Sequence, residues 1–168
     1  SQDCSNSNFN NGILGTVNGN TGQAAPFCSD TGIIFCNSLL LEQQGIIPDA
    51  ENAAQIGPNY GCLGSEPFPS WFFIRIDQPG NLDLTISQTT TGGAGLDVDF
   101  IIWGPFNQTQ INAIQGGDTT LLNAANTQDC SYAPDAVEFL SVSPVANGEF
   151  YVILMTNFGS QAGTIEMV

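Results

Sequence analysis

The sequence predicts an all-β protein, a jelly-roll-like antiparallel β-sandwich with an irregular N-terminal extension. Residues 81–88 alternate strictly between apolar and polar side chains, which is the pattern of a half-buried strand. Residues 71–77 are aromatic and β-branched, and Pro79-Gly80 ends that run. Helical periodicity is scarce along the chain. Many short strands separated by turn residues favour two packed sheets.

The remaining elements follow from shorter patterns. Further strands are predicted at 96–103, 137–142, 149–156 and 163–168, and an edge strand at best at 12–17. The strands at 137–142 and 149–156 are expected to form a hairpin around Pro144 to Gly148. Residues 109–115 are predicted to form a short helix capped by Thr109.

The first part of the chain is the least regular. Residues 1–25 are rich in Asn and Gly and are assigned to an N-terminal extension, while residues 26–168 are assigned to the sandwich domain. Residues 32–44 fit either a strand or a short helix, and residues 49–56 fit a helical turn capped by Asp49.

The charge balance excludes several functions. The 168 residues include 16 Asp and Glu, one basic residue (Arg75) and no His, which gives a formal net charge of −15. Nucleic-acid binding needs cations that displace counterions from phosphates, so no nucleic-acid partner is expected. Chemistry that depends on His or Lys is excluded as well. Because 42% of the residues are hydrophobic, the chain can still build a core.

Cysteine usage predicts an extracellular or cell-surface protein. The five cysteines (Cys4, Cys28, Cys36, Cys62 and Cys130) include no C-x-x-C pair, so a zinc ribbon has no support. Widely spaced cysteines in an acidic chain indicate disulfides formed in an oxidising compartment. No apolar run is long enough to cross a membrane as a helix, so direct membrane insertion is not expected.

Carboxylates are the strongest candidates for a binding site. Asp97 and Asp99 lie two residues apart on a predicted strand, so both point to one face at a spacing of about 6–7 Å. Asp83 lies on a neighbouring strand, and Asp129 and Asp135 flank the DCSYAP segment. These five residues are predicted to hold a structural Ca²⁺ ion, which binds six to eight oxygens. The simpler interpretation is a solvated acidic face.

Enzymatic alternatives have weaker support. Asp30-Thr31-Gly32 matches the aspartic-protease triplet, but that chemistry needs two such carboxylates. The spacing of Asp97 and Asp99 also fits a pair of glycosidase carboxylates, without the aromatic and basic groove expected around them. The chain is therefore predicted not to be an enzyme. Trp71, Tyr60, Tyr132 and Phe68 could instead form an aromatic platform for a sugar ring.

Three stretches carry a family resemblance: PNYGCLGSEPFPSWFFIRIDQPGNLDLTIS (58–87), LDVDFIIWGPF (96–106) and DCSYAPDAVEFLSVSPVANGEFYVILMTNFGSQAGTI (129–165). In this order they resemble the repeat modules of large surface proteins of the Bacteroidota, which are exported by type IX secretion and serve gliding motility and adhesion. Those modules are similar to the pre-peptidase C-terminal domain, a β-sandwich attached to secreted proteases. The resemblance covers residues 26–168.

The resemblance also implies particular residues. The related modules have one cysteine in a PFC segment and another in a GCL segment, which implies a Cys28–Cys62 disulfide. Leu140 stands where pre-peptidase domains have the partner of the DC cysteine, so Cys130 would pair with Cys36 or Cys4 or remain unpaired. Asp118-Thr119-Thr120 resembles the O-glycosylation acceptor of these bacteria, with Thr119 as the attachment residue.

These observations lead to one functional expectation and two alternatives. The expected function is that of a non-catalytic extracellular module for adhesion or surface assembly, with surface glycans or proteins as partners. The first alternative is a filament subunit that binds copies of itself by strand addition or cross-chain disulfides. The second is an ancillary polymer-binding domain of a secreted hydrolase.

Overall fold

The computed structural model describes residues 15–17, 22–26, 57–159, 161 and 163–168, and the strands in these ranges form two antiparallel sheets. In chain order the strands are β1 (Gly15–Val17), β2 (Gly22–Pro26), β3 (Ser70–Ile76), β4 (Gly80–Thr90), β5 (Asp99–Phe106), β6 (Thr127–Ser131), β7 (Val137–Val145), β8 (Phe150–Thr156) and β9 (Gly163–Met167). One helix, α1 (Gln108–Gln115), and a short 3₁₀ helix (Thr119–Leu121) lie between β5 and β6.

The sheets differ in size. The larger has six strands in the order β1-β2-β3-β8-β5-β6, and the smaller has three in the order β7-β4-β9. The predicted all-β sandwich of antiparallel strands is therefore confirmed. The assignment of residues 1–25 and 26–168 to two regions stays a prediction, although β2 pairs with β3 in the larger sheet and β1 pairs with β2.

The main core lies between the two sheets. Alternation along β4 buries Leu82, Leu84 and Ile86 on its inner face. Their partners come from β3, β5, β7 and β8 and include Ile74, Phe100, Leu140 and Ile153. Removing these side chains from water is the main force that holds the sheets together.

A second core covers the opposite face of the six-stranded sheet. Trp71 and Trp103 are stacked there, with ring centroids 5.7 Å apart and an interplanar angle of 13°. Helix α1 contributes Ile111 and Ile114 to the same cluster. The larger sheet is thus buried on both faces, which explains why all seven residues of β8 are buried.

The predicted hairpin between 137–142 and 149–156 is wrong. β7 lies in the three-stranded sheet and β8 lies between β3 and β5 in the other sheet. β8 is a continuous apolar run and belongs in a sheet covered on both faces, whereas β7 alternates and can leave one face in water. The segment from Ala146 to Glu149 therefore crosses between sheets.

Helix α1 begins one residue earlier than predicted, and its cap is Asn107 rather than Thr109. The Asn107 side chain accepts a hydrogen bond from the Gln110 backbone N–H at 3.0 Å, and the Gln110 side chain accepts one from the Asn107 N–H at 2.9 Å. This reciprocal pair satisfies two backbone donors that the helix itself leaves without partners.

Substitution of Asn107 by Ala is expected to lower the free energy of unfolding by about 1 kcal/mol, because it removes the side-chain acceptor at the helix N-terminus. Urea unfolding followed by circular dichroism measures this loss. Asn107→Asp keeps an acceptor at the same position and should retain wild-type stability. Equal losses in both variants would contradict the capping role.

The predicted Cys28–Cys62 disulfide is wrong, because Cys62 is bonded to Cys130 with a Cα–Cα distance of 6.0 Å. Pairing of β6 with β5 places Cys130 opposite Ile101. The loop that carries Cys62 crosses Ile101, and at Gly61 a Cβ atom would lie 2.8 Å from Ile101 Cδ1. Cys130 is therefore bonded to neither Cys36 nor Cys4. Cys4, Cys28 and Cys36 lie outside the described residues.

Other predicted elements compare directly with the fold. The strands predicted at 71–77, 81–88 and 163–168 are confirmed within two residues at each end. The strand predicted at 96–103 begins later, at Asp99, because Leu96 to Val98 hydrogen-bond to other segments. β6 was missed, since its sequence TQDCS has no apolar alternation. The predictions for residues 32–44 and 49–56 lie outside the described residues.

Candidate functional site

The outer face of the three-stranded sheet is a polar surface with an aromatic side chain on its edge strand β7. Its outward-pointing residues from β4 and β9 are mostly hydroxyl-bearing or acidic: Asp83, Thr85, Ser87, Thr89, Thr164 and Glu166. Phe139 on β7 stands directly opposite Thr85 and is 73% exposed. It is the most exposed large hydrophobic side chain in the described ranges.

At two neighbouring positions of β7, burial is the reverse of what the hydrophobicity of the side chains predicts. Glu138 points to the inner face and is 7% exposed, whereas Phe139 and Val137 point outward. Leu140 and Val142 also point to the inner face. Because successive side chains of a strand point to opposite faces, Phe139 must point outward. Aromatic side chains are usually buried and carboxylates usually exposed, so the reverse arrangement on one strand marks both positions as candidates for function.

Hydrogen bonds between side chains hold the outer face in place. Ser141 Oγ donates to Asp83 at 2.7 Å, and Ser143 Oγ bonds with Asn81 Oδ1 at 2.6 Å. The Ser141 backbone N–H donates to Asp129 Oδ2 at 2.9 Å. This last bond ties β6, an edge strand of the larger sheet, to the edge of β7. The surface around Phe139 is thereby ordered before any ligand arrives.

The five aspartates predicted to hold Ca²⁺ are divided between two places. Asp83 and Asp129 both bond to Ser141 near the middle of β7. Asp97, Asp99 and Asp135 lie at one end of the sandwich, where Val98 N–H donates to the Asp135 carbonyl at 3.1 Å. On the β5–β6 register Asp129 stands opposite Ile102, three residues from Asp99, which separates the two places by about 10 Å. The structure therefore does not bring all five together.

The end that carries Asp97 and Asp99 also holds buried oxygen atoms without hydrogen-bond partners. We call it the polar end. Among the described residues, the buried side-chain oxygens that lack partners are Asp97 Oδ1, Asp99 Oδ2, Thr156 Oγ1, Asn157 Oδ1, Gln88 Oε1 and Glu138 Oε1. All belong to this end, because Asp99 pairs with Thr156 and Leu96 N–H donates to the Gln88 carbonyl. Sequence analysis found the two aspartates and missed the neutral residues beside them.

Electrostatics at the polar end disfavour the charged carboxylates. The pKa of Asp99 is raised to about 7, first by burial and then by the neighbouring charges of Asp97 and Glu138, while the Thr156 hydroxyl opposes the rise. Burial and then Asp135 raise the pKa of Asp97 as well. Because the folded-state pKa of Asp99 lies above its ordinary value of 3.8, ionisation of this group lowers stability as pH rises toward neutrality.

Other predicted positions lie elsewhere. In the described ranges, no three Asp, Glu, His or Cys side chains are arranged to share one metal ion. Thr119 begins the 3₁₀ helix, is half-buried and contacts Gly57, so its glycosylation stays a prediction. The proposed aromatic platform is wrong for Trp71, which is 1% exposed. Tyr132 remains exposed and lies edge-on to Phe158 at 5.5 Å. Asp30 lies outside the described residues.

Comparison of the chain with known proteins finds no match among family models, curated proteins or solved structures. None of the described helices has both the length and the apolar character needed to span a membrane.

Proposed function

We propose that this chain is a non-catalytic extracellular β-sandwich module that serves adhesion or surface assembly, and that the outer face of its three-stranded sheet binds neutral surface glycans. One observation carries the proposal: Phe139 is 73% exposed on the outer face of the three-stranded sheet, directly opposite Thr85 and beside other hydroxyl-bearing side chains. An exposed aromatic ring offers an apolar surface on which the C–H face of a sugar ring can stack.

The polar residues around Phe139 favour a carbohydrate over other ligands. Thr85, Ser87 and Asp83 offer donors and acceptors that match sugar hydroxyl groups. Asp83 and Glu166, together with the net charge of −15, disfavour a polyanionic ligand at this face. A neutral polysaccharide meets both conditions, because it needs hydrogen bonds and stacking without counter-charges.

Secretion is supported by the Cys62–Cys130 disulfide, since disulfides persist mainly in oxidising compartments. The three stretches that resemble type IX-secreted surface modules support the same assignment and its link to gliding and adhesion.

Phe139→Ala is expected to reduce retention on an insoluble neutral polysaccharide by at least about tenfold, because the variant loses the stacking surface. Pull-down on cellulose, chitin and starch granules measures the bound fraction of wild type and variant. Phe158→Ala removes a different exposed aromatic ring, one outside this sheet face, and should bind like wild type. Unchanged thermal unfolding of Phe139→Ala separates lost binding from lost folding, since the ring is exposed.

Equal retention of Phe139→Ala and wild type would overturn this binding face, and so would the absence of retention on all three polymers. Sedimentation of the purified chain tests the filament alternative in the same preparation. Concentration-dependent assembly that Phe139→Ala abolishes would identify a second copy of the chain as the occupant of the face. Self-association must overcome repulsion between chains of high negative charge, which salt screens.

A further inference from the structure

We propose that Asp97, Asp99, Thr156 and Asn157 form a binding site for a calcium ion at the polar end of the sandwich. This site is distinct from the outer face of the three-stranded sheet around Phe139, which we call the glycan-binding face. It omits Asp83 and Asp129, which the sequence analysis expected to contribute.

The strand register brings the proposed ligands together. Asp99, the first residue of β5, is the direct partner of Thr156, the last residue of β8, so their side chains share one face of the sheet. Asn157 follows Thr156 in the chain. The segment after it returns over Asp97, because Gly159 N–H donates to the Asp97 carbonyl at 3.4 Å. Two carboxylates and two neutral oxygens therefore converge where adjacent strands begin and end.

Each of these side chains has a buried oxygen without a hydrogen-bond partner. Thr156 is fully buried, at 0% exposure, and Asp99 is 1% exposed. Buried polar atoms in native proteins are almost always paired, and an exception calls for an ion, a water molecule or a source of strain. The unpartnered atoms are all oxygens, and oxygen is the ligand of a hard cation.

The protein supplies no cation of its own at this end. Arg75, the single basic residue of the sequence, pairs with Phe150 at the start of β8. Thr156 lies about 20 Å further along the same strand. Asp99 is repelled by Asp97 and Glu138, and Asp97 is repelled by Asp135, with no basic side chain beside them to neutralise the charge. A bound divalent cation would remove the cost of holding Asp97 and Asp99 ionised beside each other.

The composition of the site favours calcium over other metals. It has no sulfur or imidazole ligand, which disfavours zinc and copper. Two carboxylates, a hydroxyl and an amide oxygen leave several coordination positions for water. Ca²⁺ accepts such an irregular set of oxygens, whereas Mg²⁺ demands near-ideal octahedral geometry.

Thermal unfolding of the full chain in CaCl₂ and in EDTA, at constant ionic strength, tests the site. At a Ca²⁺ concentration a hundredfold above its Kd, the wild-type Tm should rise by about 5–10 °C relative to EDTA. Asp99→Asn should lose this rise, while its Tm in EDTA should equal or exceed that of wild type, because it removes a buried charge. A purely structural role for Asp99 would lower the Tm in both conditions.

Asp83→Asn is the matched control, since it makes the same change in charge at an exposed carboxylate that bonds to Ser141. Its Ca²⁺ response should match that of wild type. Isothermal titration should detect one Ca²⁺ per wild-type chain and none for Asp99→Asn. The proposal is overturned if Ca²⁺ leaves the wild-type Tm unchanged, which would assign water to these oxygens, or if Asp83→Asn and Asp99→Asn lose the response equally. Polysaccharide retention in EDTA reports separately on the glycan-binding face.

Discussion

Replacement of both Cys62 and Cys130 by Ser is expected to lower the free energy of unfolding by about 4 kcal/mol. The disulfide closes a long loop, with 68 residues of sequence separation between its ends. In the loop-entropy model, a cross-link of this span restricts the unfolded chain and stabilises the fold by about that amount. Urea unfolding followed by far-ultraviolet circular dichroism gives the difference between the two proteins.

A reducing agent provides the control for this prediction. It should destabilise the wild type and have a smaller effect on the double variant, whose remaining cysteines are Cys4, Cys28 and Cys36. Peptide mapping without reduction should recover Cys62 and Cys130 in one cross-linked pair. A Cys28–Cys62 peptide in its place, or a double variant as stable as the wild type, would contradict the connectivity.

Trp103→Ala is expected to cost about 3–5 kcal/mol, the usual range for deleting a fully buried aromatic side chain. Trp103 is 0% exposed, stacks on Trp71 and contacts Tyr60 edge-on at 6.2 Å. Its indole N–H also donates to the Asn59 carbonyl at 3.2 Å. The substitution therefore removes packing, stacking and the indole hydrogen bond that ties the loop at Asn59 to the sheet. Chemical unfolding by circular dichroism measures the loss.

Trp103→Phe separates these contributions. It keeps an aromatic ring in the cluster and loses the indole N–H, so its cost should be smaller, about 1–2 kcal/mol. Phe139→Ala removes an aromatic ring from the solvent-exposed face and should cost less than either. A Trp103→Ala variant as stable as Phe139→Ala would show that the second core contributes little to the fold.

The fold class followed from local patterns, and the pairing of strands did not. β4 is buried on one face and β3 on both faces, and such burial leaves a local pattern in the sequence: alternation at β4 and an aromatic run at β3. Whether β7 turns back onto β8 or crosses to another sheet depends on what covers each strand, and those residues are distant in the sequence. The Cys62–Cys130 bond was missed for the same reason, since it depends on the pairing of β5 with β6.

Some residues of the candidate sites could likewise be predicted from local sequence, and others depend on strand pairing. Asp97 and Asp99 could be found from their spacing alone. Thr156 and Asn157 carry no signal of their own, because their role depends on the register between β8 and β5. Phe139 was missed for a different reason. Its aromatic side chain gives no sign of exposure in the sequence, and only the pleat shared with Leu140 shows that it must face water.

The position of β8 between β3 and β5 has a consequence for how the chain folds. β3 and β5 do not pair with each other, so the two halves of the larger sheet are not hydrogen-bonded together until β8 inserts between them. Each contact of β8 with β3 joins residues far apart in the sequence, and such topologies fold slowly. During synthesis or export, β3 to β7 would emerge before β8 and remain without their central partner. The chain should therefore stay unfolded and susceptible to proteases until residues 150–156 are available.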